Sequence, residues 1–327
     1  MFIFRLRNGL GNQMFIMTFA ERLKTLYPNH AIIYDNSDIP SVLNGRNMRP
    51  FTEFFNHDFP IATNKEIRAY CGKPLYNIFQ FKKYNCNFLY KINQMINSFE
   101  VHQTNVKKIN EPEYWNVSED FVADICSKKI PDDNNIIYYF NGFWENMKYI
   151  YDIIPSLNNI FSFKISNKKI LNLAAKISDE ESVAVHIRRG DYLKESKLIK
   201  YPKNYYCVCN QKYYERAIEM IYKKLTNPVF YFFSDDITYA KKQYAHIKNC
   251  IFIDDNKDYE DLFLMTKCNN IIVANSTFSF WGAMLGNKAN VIAPKLHYIH
   301  FENPDTYKKV NYFLYDKWNY IDNDIVV

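Results

Sequence analysis

Glycine is scarce in this chain, with 8 in 327 residues. A close pair such as Gly9-Leu10-Gly11 therefore marks backbone that needs it. The seven cysteines (Cys71, Cys86, Cys126, Cys207, Cys209, Cys250 and Cys268) are odd in number and show no CxxC spacing. That excludes the usual zinc signature and a disulfide framework, and fits reduced thiols in a cytoplasmic protein. No stretch approaches the roughly 18 apolar residues needed to span a bilayer. Arg5, Arg7, Asn8, Asn12 and Gln13 interrupt the apolar N-terminal residues, so no signal peptide is expected either. Asp-x-Asp spacing occurs only at Asp322-Asn323-Asp324, in a C-terminal segment expected to be mobile. A metal-dependent mechanism has little support, and neither a metal nor a cofactor is expected.

What is present reads as a soluble globular protein of two domains, with 48% hydrophobic and 23% charged residues. The net charge of +6 is concentrated in one place. Between Lys65 and Asn110, eight basic residues (Lys65, Arg68, Lys73, Lys82, Lys83, Lys91, Lys107 and Lys108) face only Glu66 and Glu100. Aromatics interleave with them, as in Phe79-Gln80-Phe81-Lys82-Lys83-Tyr84. Such a segment is a solvated lysine-rich face, or a surface for anionic lipid or an anionic acceptor. No nucleic-acid motif accompanies it, so no nucleic acid is expected as partner.

Hydrophobic periodicity divides the chain. Residues Met1 to Leu6 form a predicted strand, Arg7 to Gln13 a glycine turn, and Phe15, Phe19, Leu23 and Leu26 one stripe of a helix. Ala31 to Tyr34 and Ile136 to Phe140 are further predicted strands, the latter ending in Asn141-Gly142-Phe143-Trp144-Glu145. The intervening residues, about 39–135, give no clear pattern. The second half is plainer: Val183–Ile187, Val229–Phe233, Cys250–Ile253, Ile271–Ala274 and Val291–Ala293 are continuous apolar runs. Strands buried on both faces of a parallel sheet read this way. Helical stretches separate them, predicting a doubly wound sheet with its ligand outside the carboxyl ends of the strands.

His186, Ser234-Asp235-Asp236 and Asn275-Ser276-Thr277 all stand at such ends. His186-Ile187-Arg188-Arg189-Gly190-Asp191-Tyr192 follows one apolar run, and arginine's planar fork suits diphosphate oxygens. The plain alternative is a strand end whose arginines pair with local carboxylates. Asn275-Ser276-Thr277-Phe278-Ser279 lies between strand and helix, where hydroxyls and N–H groups either bind phosphate or simply cap the helix. Asp261 falls in the first turn of a helix after Asp258, its predicted cap, placed to balance the dipole or to accept from purine N–H groups. The loop Gly9-x-Gly11 lets amides approach a phosphate at a helix start, or is a tight turn. Its dinucleotide alternative, an NAD-dependent dehydrogenase with Asp35 on the ribose, lacks the third glycine, since Met14 stands there.

Four blocks resemble the α1,2-fucosyltransferases of glycosyltransferase family 11, in a bacterial form without the membrane anchor of animal members. They are Gly9-Leu10-Gly11-Asn12-Gln13-Met14-Phe15, the His186–Tyr192 motif, Asp261-Leu262-Phe263-Leu264-Met265 through Asn275-Ser276-Thr277-Phe278-Ser279-Phe280-Trp281, and, more softly, Phe232-Phe233-Ser234-Asp235-Asp236. The departures are Asn8 where glycine is usual and Phe280 where tryptophan is common. The resemblance implies an α/β fold of two Rossmann-like domains facing a cleft (GT-B-type), with a doubly wound C-terminal sheet. It divides the chain into an acceptor-side domain over 1–165 with an irregular basic insertion at 39–135, a donor domain over 166–300, and a tail over 301–327.

It further implies metal-independent, inverting transfer of L-fucose from GDP-β-L-fucose to the 2-hydroxyl of a terminal β-galactose in surface polysaccharide. Arg188 then meets the β-phosphate with Arg189 in support. Asn275, Ser276, Thr277 and Ser279 hold phosphate oxygens, Asn12 with the Gly9 and Gly11 backbone approaches from the other domain, and Asp261 reads guanine. His186 binds the nucleotide or positions the acceptor; Asp191 is the general base or braces the arginines. A rival of another class is a non-catalytic glycan- or membrane-binding module built on the basic stretch. That stretch also suggests peripheral docking on the cytoplasmic face of the inner membrane, near a lipid-linked glycan.

Overall fold

The computed structural model describes residues 1–37, 39, 42–43, 46–47, 51, 54–71, 105–112, 117–190, 192–193, 204–286, 288–303 and 306–323. Lys73, Lys82, Lys83 and Lys91 of the basic segment, and Asp191, lie outside the described residues.

Strands β1 (Phe2–Arg5), β2 (Ile32–Asp35), β5 (Val106–Asn110) and β6 (Ile137–Asn141) form a parallel sheet in the order β2-β1-β6-β5. Between β2 and β5 lie a two-stranded hairpin of β3 (Val42–Leu43) and β4 (Arg46–Asn47) and helix α2 (Asn64–Cys71). Helix α1 (Leu10–Leu26) connects β1 to β2; α3 (Glu119–Cys126) precedes β6, and α4 (Met147–Ile150) and α5 (Leu157–Ile160) follow it. The second sheet contains β7 (Ser182–Ile187), β9 (Val229–Ser234), β10 (Cys250–Phe252), β11 (Asn270–Ile272), β12 (Asn290–Pro294) and β15 (Asn319–Ile321). Its order is β10-β9-β7-β11-β12-β15, all parallel. Strands β8 (Asn204–Tyr206), β13 (Tyr298–Asn303) and β14 (Thr306–Val310) make a separate antiparallel sheet.

The strand period of two sorts the second sheet's faces. Val183, Val185 and Ile187 pack against α7 (Gln211–Tyr222) and α8 (Ile237–Tyr244). Ala184 packs against α6 (Lys168–Asp179) and α9 (Asp258–Lys267), with α10 (Thr277–Met284) on the same side. This is the doubly wound arrangement expected of continuous apolar strands. From β7 the chain runs outward through β9 and β10, then crosses back over α9 to β11 and β12. The order therefore reverses between β7 and β11, where a doubly wound sheet opens its ligand crevice. In the first sheet the reversal falls between β1 and β6.

The core of the first sheet takes in Leu262 of α9, Phe280 and Trp281 of α10, and Phe313 from the second half, and α1 lies between. Thirteen of its residues are buried, Gln13, Thr18, Glu21 and Arg22 among them, so it is enclosed nearly all round rather than on one stripe. Phe19 faces its own sheet, against Phe4 and Phe140, and stacks on Trp144 at 4.5 Å. Phe15 faces the other half, 4.8 Å from Phe280, 4.9 Å from Trp281 and 5.3 Å from Phe313. Burying each such ring contributes about 1.5–3 kcal/mol. Gly11 makes this approach possible: a Cβ there would lie 2.7 Å from the backbone carbon of Thr277, while Trp281 Nε1 donates to Gly11 O at 2.8 Å.

The expected tail over 301–327 is corrected by β15, which extends the second sheet, and by Phe313, which lies 5.2 Å from Phe280. Asn323 is fully buried, its Nδ2 donating to Cys207 O at 3.1 Å and Leu296 O at 2.9 Å. The second half thus continues to residue 323. Strand β5 lay hidden in the unpatterned stretch because Val-Lys-Lys-Ile-Asn carries two apolar residues only, as suits a lysine-bearing sheet edge.

The two glycines of the first loop should behave differently. Gly11→Ala forces the junction apart and should lower the melting temperature by several degrees. Gly9→Ala, whose Cβ would meet nothing within 4 Å at an ordinary φ of −73°, should leave it within about a degree. Thermal denaturation of both variants checks this contrast.

Candidate active site

The end of β7 is held from the side by β9. Asp235, only 4% exposed in its side chain, lies 3.3 Å from Arg188 Nη1 through Oδ2 and accepts from Arg189 N at 2.9 Å through Oδ1. One carboxylate thus orients a guanidinium and the backbone beside it. Gly190 is required by the same carboxylate: a Cβ would sit 2.8 Å from Asp235 Oδ2. Arg188 also lies 5.1 Å from the Tyr192 ring, and its side chain stays 15% exposed at the crevice. Arg189 turns away: its guanidinium stacks 3.5 Å over Tyr239, with Asp236 4.0 Å from Nε. The arginines do pair with local carboxylates, and for Arg188 that pairing holds the fork in place. His186 is buried, its carbonyl accepting from Tyr214 OH at 3.0 Å and its ring 5.6 Å from Phe278.

Across the switch point, β11 runs into the N-terminus of α10. Ser276 is the N-cap, accepting from Phe278 N at 3.3 Å. Ser279 is fully buried, and its hydroxyl bonds Ala274 O at 3.3 Å and accepts from Ala274 N at 3.2 Å. Ser279 therefore braces the turn from within instead of reaching the crevice as expected. Asn275 is 1% exposed, and its Nδ2 has no hydrogen-bond partner among the described residues. Thr277 Oγ1 donates to Asn12 Oδ1 at 3.0 Å, and Asn12 Nδ2 donates to the buried Glu145. The start of α1 thereby meets the start of α10. Gly9 borders open space, and Asn8, at φ 53°, occupies a left-handed position that asparagine tolerates in place of the family's glycine.

Asp261 lies in the first turn of α9, where Lys257 and not Asp258 is the N-cap and Glu260 accepts from Lys257 N at 3.0 Å. Asn256 Nδ2 donates to Asp261 at 2.9 Å. Burial pushes the Asp261 carboxyl up to about 7 against that hydrogen bond, with Asp258, Glu260 and Asp254 adding to the rise. Such a group is poised to gain from two N–H donors. Asp35 is engaged otherwise than a ribose-reading acid would be. It accepts from Ser37 N at 2.9 Å and Tyr139 OH at 2.6 Å.

The chemistry of the sequence left Glu111 and Asp235 out of the site. Glu111 accepts from Phe143 N and Trp144 N, both at 2.7 Å, and so holds the loop that carries Glu145. Trp144 has φ 55°, a left-handed conformation costing roughly 1–2 kcal/mol that these bonds and its full burial offset. Burial raises the Glu111 carboxyl to about 7, opposed by the Trp144 and Phe143 N–H groups. Local pattern offered no signal for Glu111. For Asp235 the signal was there, a carboxylate at a buried strand's end. Among the described residues no three His, Cys, Asp or Glu side chains gather as a metal would require.

Two Rossmann-like sheets joined where α1 and α10 begin, one presenting an oriented arginine and a helix N-terminus, have the architecture of a GT-B-type glycosyltransferase. The profile of glycosyl transferase family 11 matches residues 2–322, and the chain belongs to that family. It is 34% identical over 187 residues to the alpha-1,2-colitosyltransferase of Escherichia coli, covering 56% of this chain and 63% of that protein. It is 33% identical over 142 residues to the O-antigen biosynthesis glycosyltransferase WbnK of Escherichia coli, covering 39% and 46%. With the galactoside 2-alpha-L-fucosyltransferase Sec1 of Mus musculus it shares 29% over 108 residues, covering 32% and 28%. The matched part is thus less than two thirds of each of these relatives. The structure of NodZ alpha-1,6-fucosyltransferase co-crystallized with GDP superposes with a TM-score of 0.51 over 95% of this chain and 98% of that one, at 11% identity. That likeness establishes the fold. Family membership sets aside the dehydrogenase and the non-catalytic module.

Because Glu111 titrates higher folded than unfolded, its contribution to stability is full below the ordinary value of 4.5 and is lost as pH rises through about 7. Glu111→Gln keeps an acceptor for the two amides without a charge to bury. The variant should gain on wild type by a few degrees of melting temperature between pH 5 and pH 8, read by calorimetry at both.

Proposed function

We propose that the chain transfers L-fucose from GDP-β-L-fucose to the 2-hydroxyl of a terminal β-galactose, inverting the anomeric carbon. The observation that carries this is Arg188, held by Asp235 at the switch point opposite the N-terminus of α10. The acceptor oxygen forms its bond to C1 as the C1–O bond to phosphate breaks, and the electron pair leaves on GDP. Charge then grows on the β-phosphate, and a fixed guanidinium stabilises it most in the transition state. Asp235 reduces the reorganisation this needs by holding the fork beforehand. Asn275 Nδ2, without a hydrogen-bond partner among the described residues, and the N–H groups at the α10 start supply further donors for the anion. Asp261 reads the guanine edge. His186 lines the same strand end, and Asp191, directly after Gly190, takes the hydroxyl proton.

The linkage is supported by the activities for which the colitosyltransferase and Sec1 are named, and a role in surface polysaccharide by WbnK. The identity to the colitosyltransferase favours one second reading, for the donor sugar alone: colitose in place of fucose. The basic segment supports an acceptor that is lipid-linked and reached peripherally at the cytoplasmic face of the membrane.

Incubation with GDP-fucose and a panel of β-galactosides, read by mass spectrometry and NMR, should give a product heavier by one deoxyhexose at O2. Absence of both transfer and GDP binding overturns the reading. Arg188→Ala should lower kcat by roughly 100-fold or more. Guanine needs the ionised Asp261, so GDP affinity should fall below pH 7, approaching tenfold per unit. Asp261→Asn should flatten that dependence in titration calorimetry.

A further inference from the structure

Glu145 ends the loop after β6 and is 1% exposed. It lies where the helices α1 and α10 begin, since its partner Asn12 is in the first turn of α1 and that residue's other partner, Thr277, opens α10. The Asn12 amide is turned with Nδ2 donating to a Glu145 carboxylate oxygen and Oδ1 accepting from Thr277, so Glu145 decides which end of the amide faces Thr277. The Thr277 hydroxyl owns a single proton, and with a carbonyl oxygen 3.0 Å away that proton points into the junction.

We propose that Glu145 is a positioning residue of the donor site, acting through Asn12 to turn the Thr277 hydroxyl proton away from the crevice. The N-terminus of α10 then meets the phosphate with its backbone N–H groups, and Thr277 serves the junction instead of the ligand. This deepens the donor reading above, rests on it, and reassigns one of its residues. The relay ties the loop after β1, the loop after β6 and the start of α10 to one another. Gly11 and Trp281 hold that junction beside it through backbone contact and the 2.8 Å indole bond.

Glu145→Gln offers Asn12 either an oxygen or an NH2 group, so the Asn12 amide can reverse and release the Thr277 proton toward the crevice. GDP itself is the probe, titrated calorimetrically so that turnover is not needed. The variant should bind GDP several-fold tighter, because a hydroxyl donor is gained. Any effect of the substitution that bypasses the hydroxyl survives in a Thr277→Val background and the hydroxyl effect does not. Across the four proteins of that cycle, the gain should therefore shrink at least threefold when Thr277 is replaced. An equal gain in both backgrounds overturns the relay. So does a lowered melting temperature with no Thr277-dependent change, the mark of a purely structural Glu145. If Glu145→Gln does not fold, Asn12→Ala with Thr277→Val makes the equivalent cycle: the tightening depends on Thr277, and additivity overturns the proposal. Wild-type protein that does not bind GDP removes the donor reading itself, a failure distinct from additivity in protein that does.

Discussion

The contact between Gly11 and Thr277 governs this molecule more than any other. It brings the first helix of one sheet against the first turn of a helix from the other, at a distance that only a residue without a Cβ allows. Around it the Phe15, Phe280, Trp281 and Phe313 rings close a core that belongs to both halves. Two crevices that would otherwise be separate switch points become walls of one. The relative placement of groups from the two halves is therefore a packing property, maintained by apolar burial and by the Trp281 indole bond to Gly11.

On that frame the charges are arranged by second residues. Arg188 owes its orientation to Asp235, and the backbone at Arg189 and the absence of a side chain at Gly190 serve the same carboxylate. Glu111 does the corresponding work on the other wall, holding a loop in which Trp144 adopts a left-handed backbone. Both carboxylates are largely buried and meet backbone amides. A site prepared this way has already oriented its donors before the substrate arrives, which is where preorganised electrostatics acts.

Much of the second half was legible because β7, β9, β10, β11 and β12 are short apolar runs separated by helical stretches, and such runs place polar motifs at their ends. Asn275-Ser276-Thr277 was located by that rule, and Asp261 by its place in the first turn of a helix. The finer roles were not legible. Ser279 and Thr277 have the residue types of phosphate ligands, yet one hydroxyl is spent inside its own turn and the other on Asn12. Arg189 resembles Arg188 in sequence and stacks on Tyr239 instead. Strand β15 and Phe313 read as tail because β15 is only three residues long and its pairing with β12 is not local.

The sequence by itself determined the parallel sheets, the strand ends at which chemistry gathers, and the family, since periodicity and motif order are local and survive without contacts. Tertiary structure alone decided that the switch points lie between β7 and β11 and between β1 and β6, that Asp235 orients Arg188, and that Glu145, Asn12 and Thr277 form one chain of hydrogen bonds. Those facts join residues from 46 to 265 positions apart. Only the packing of α1 against α10 brings the farthest of them within bonding distance.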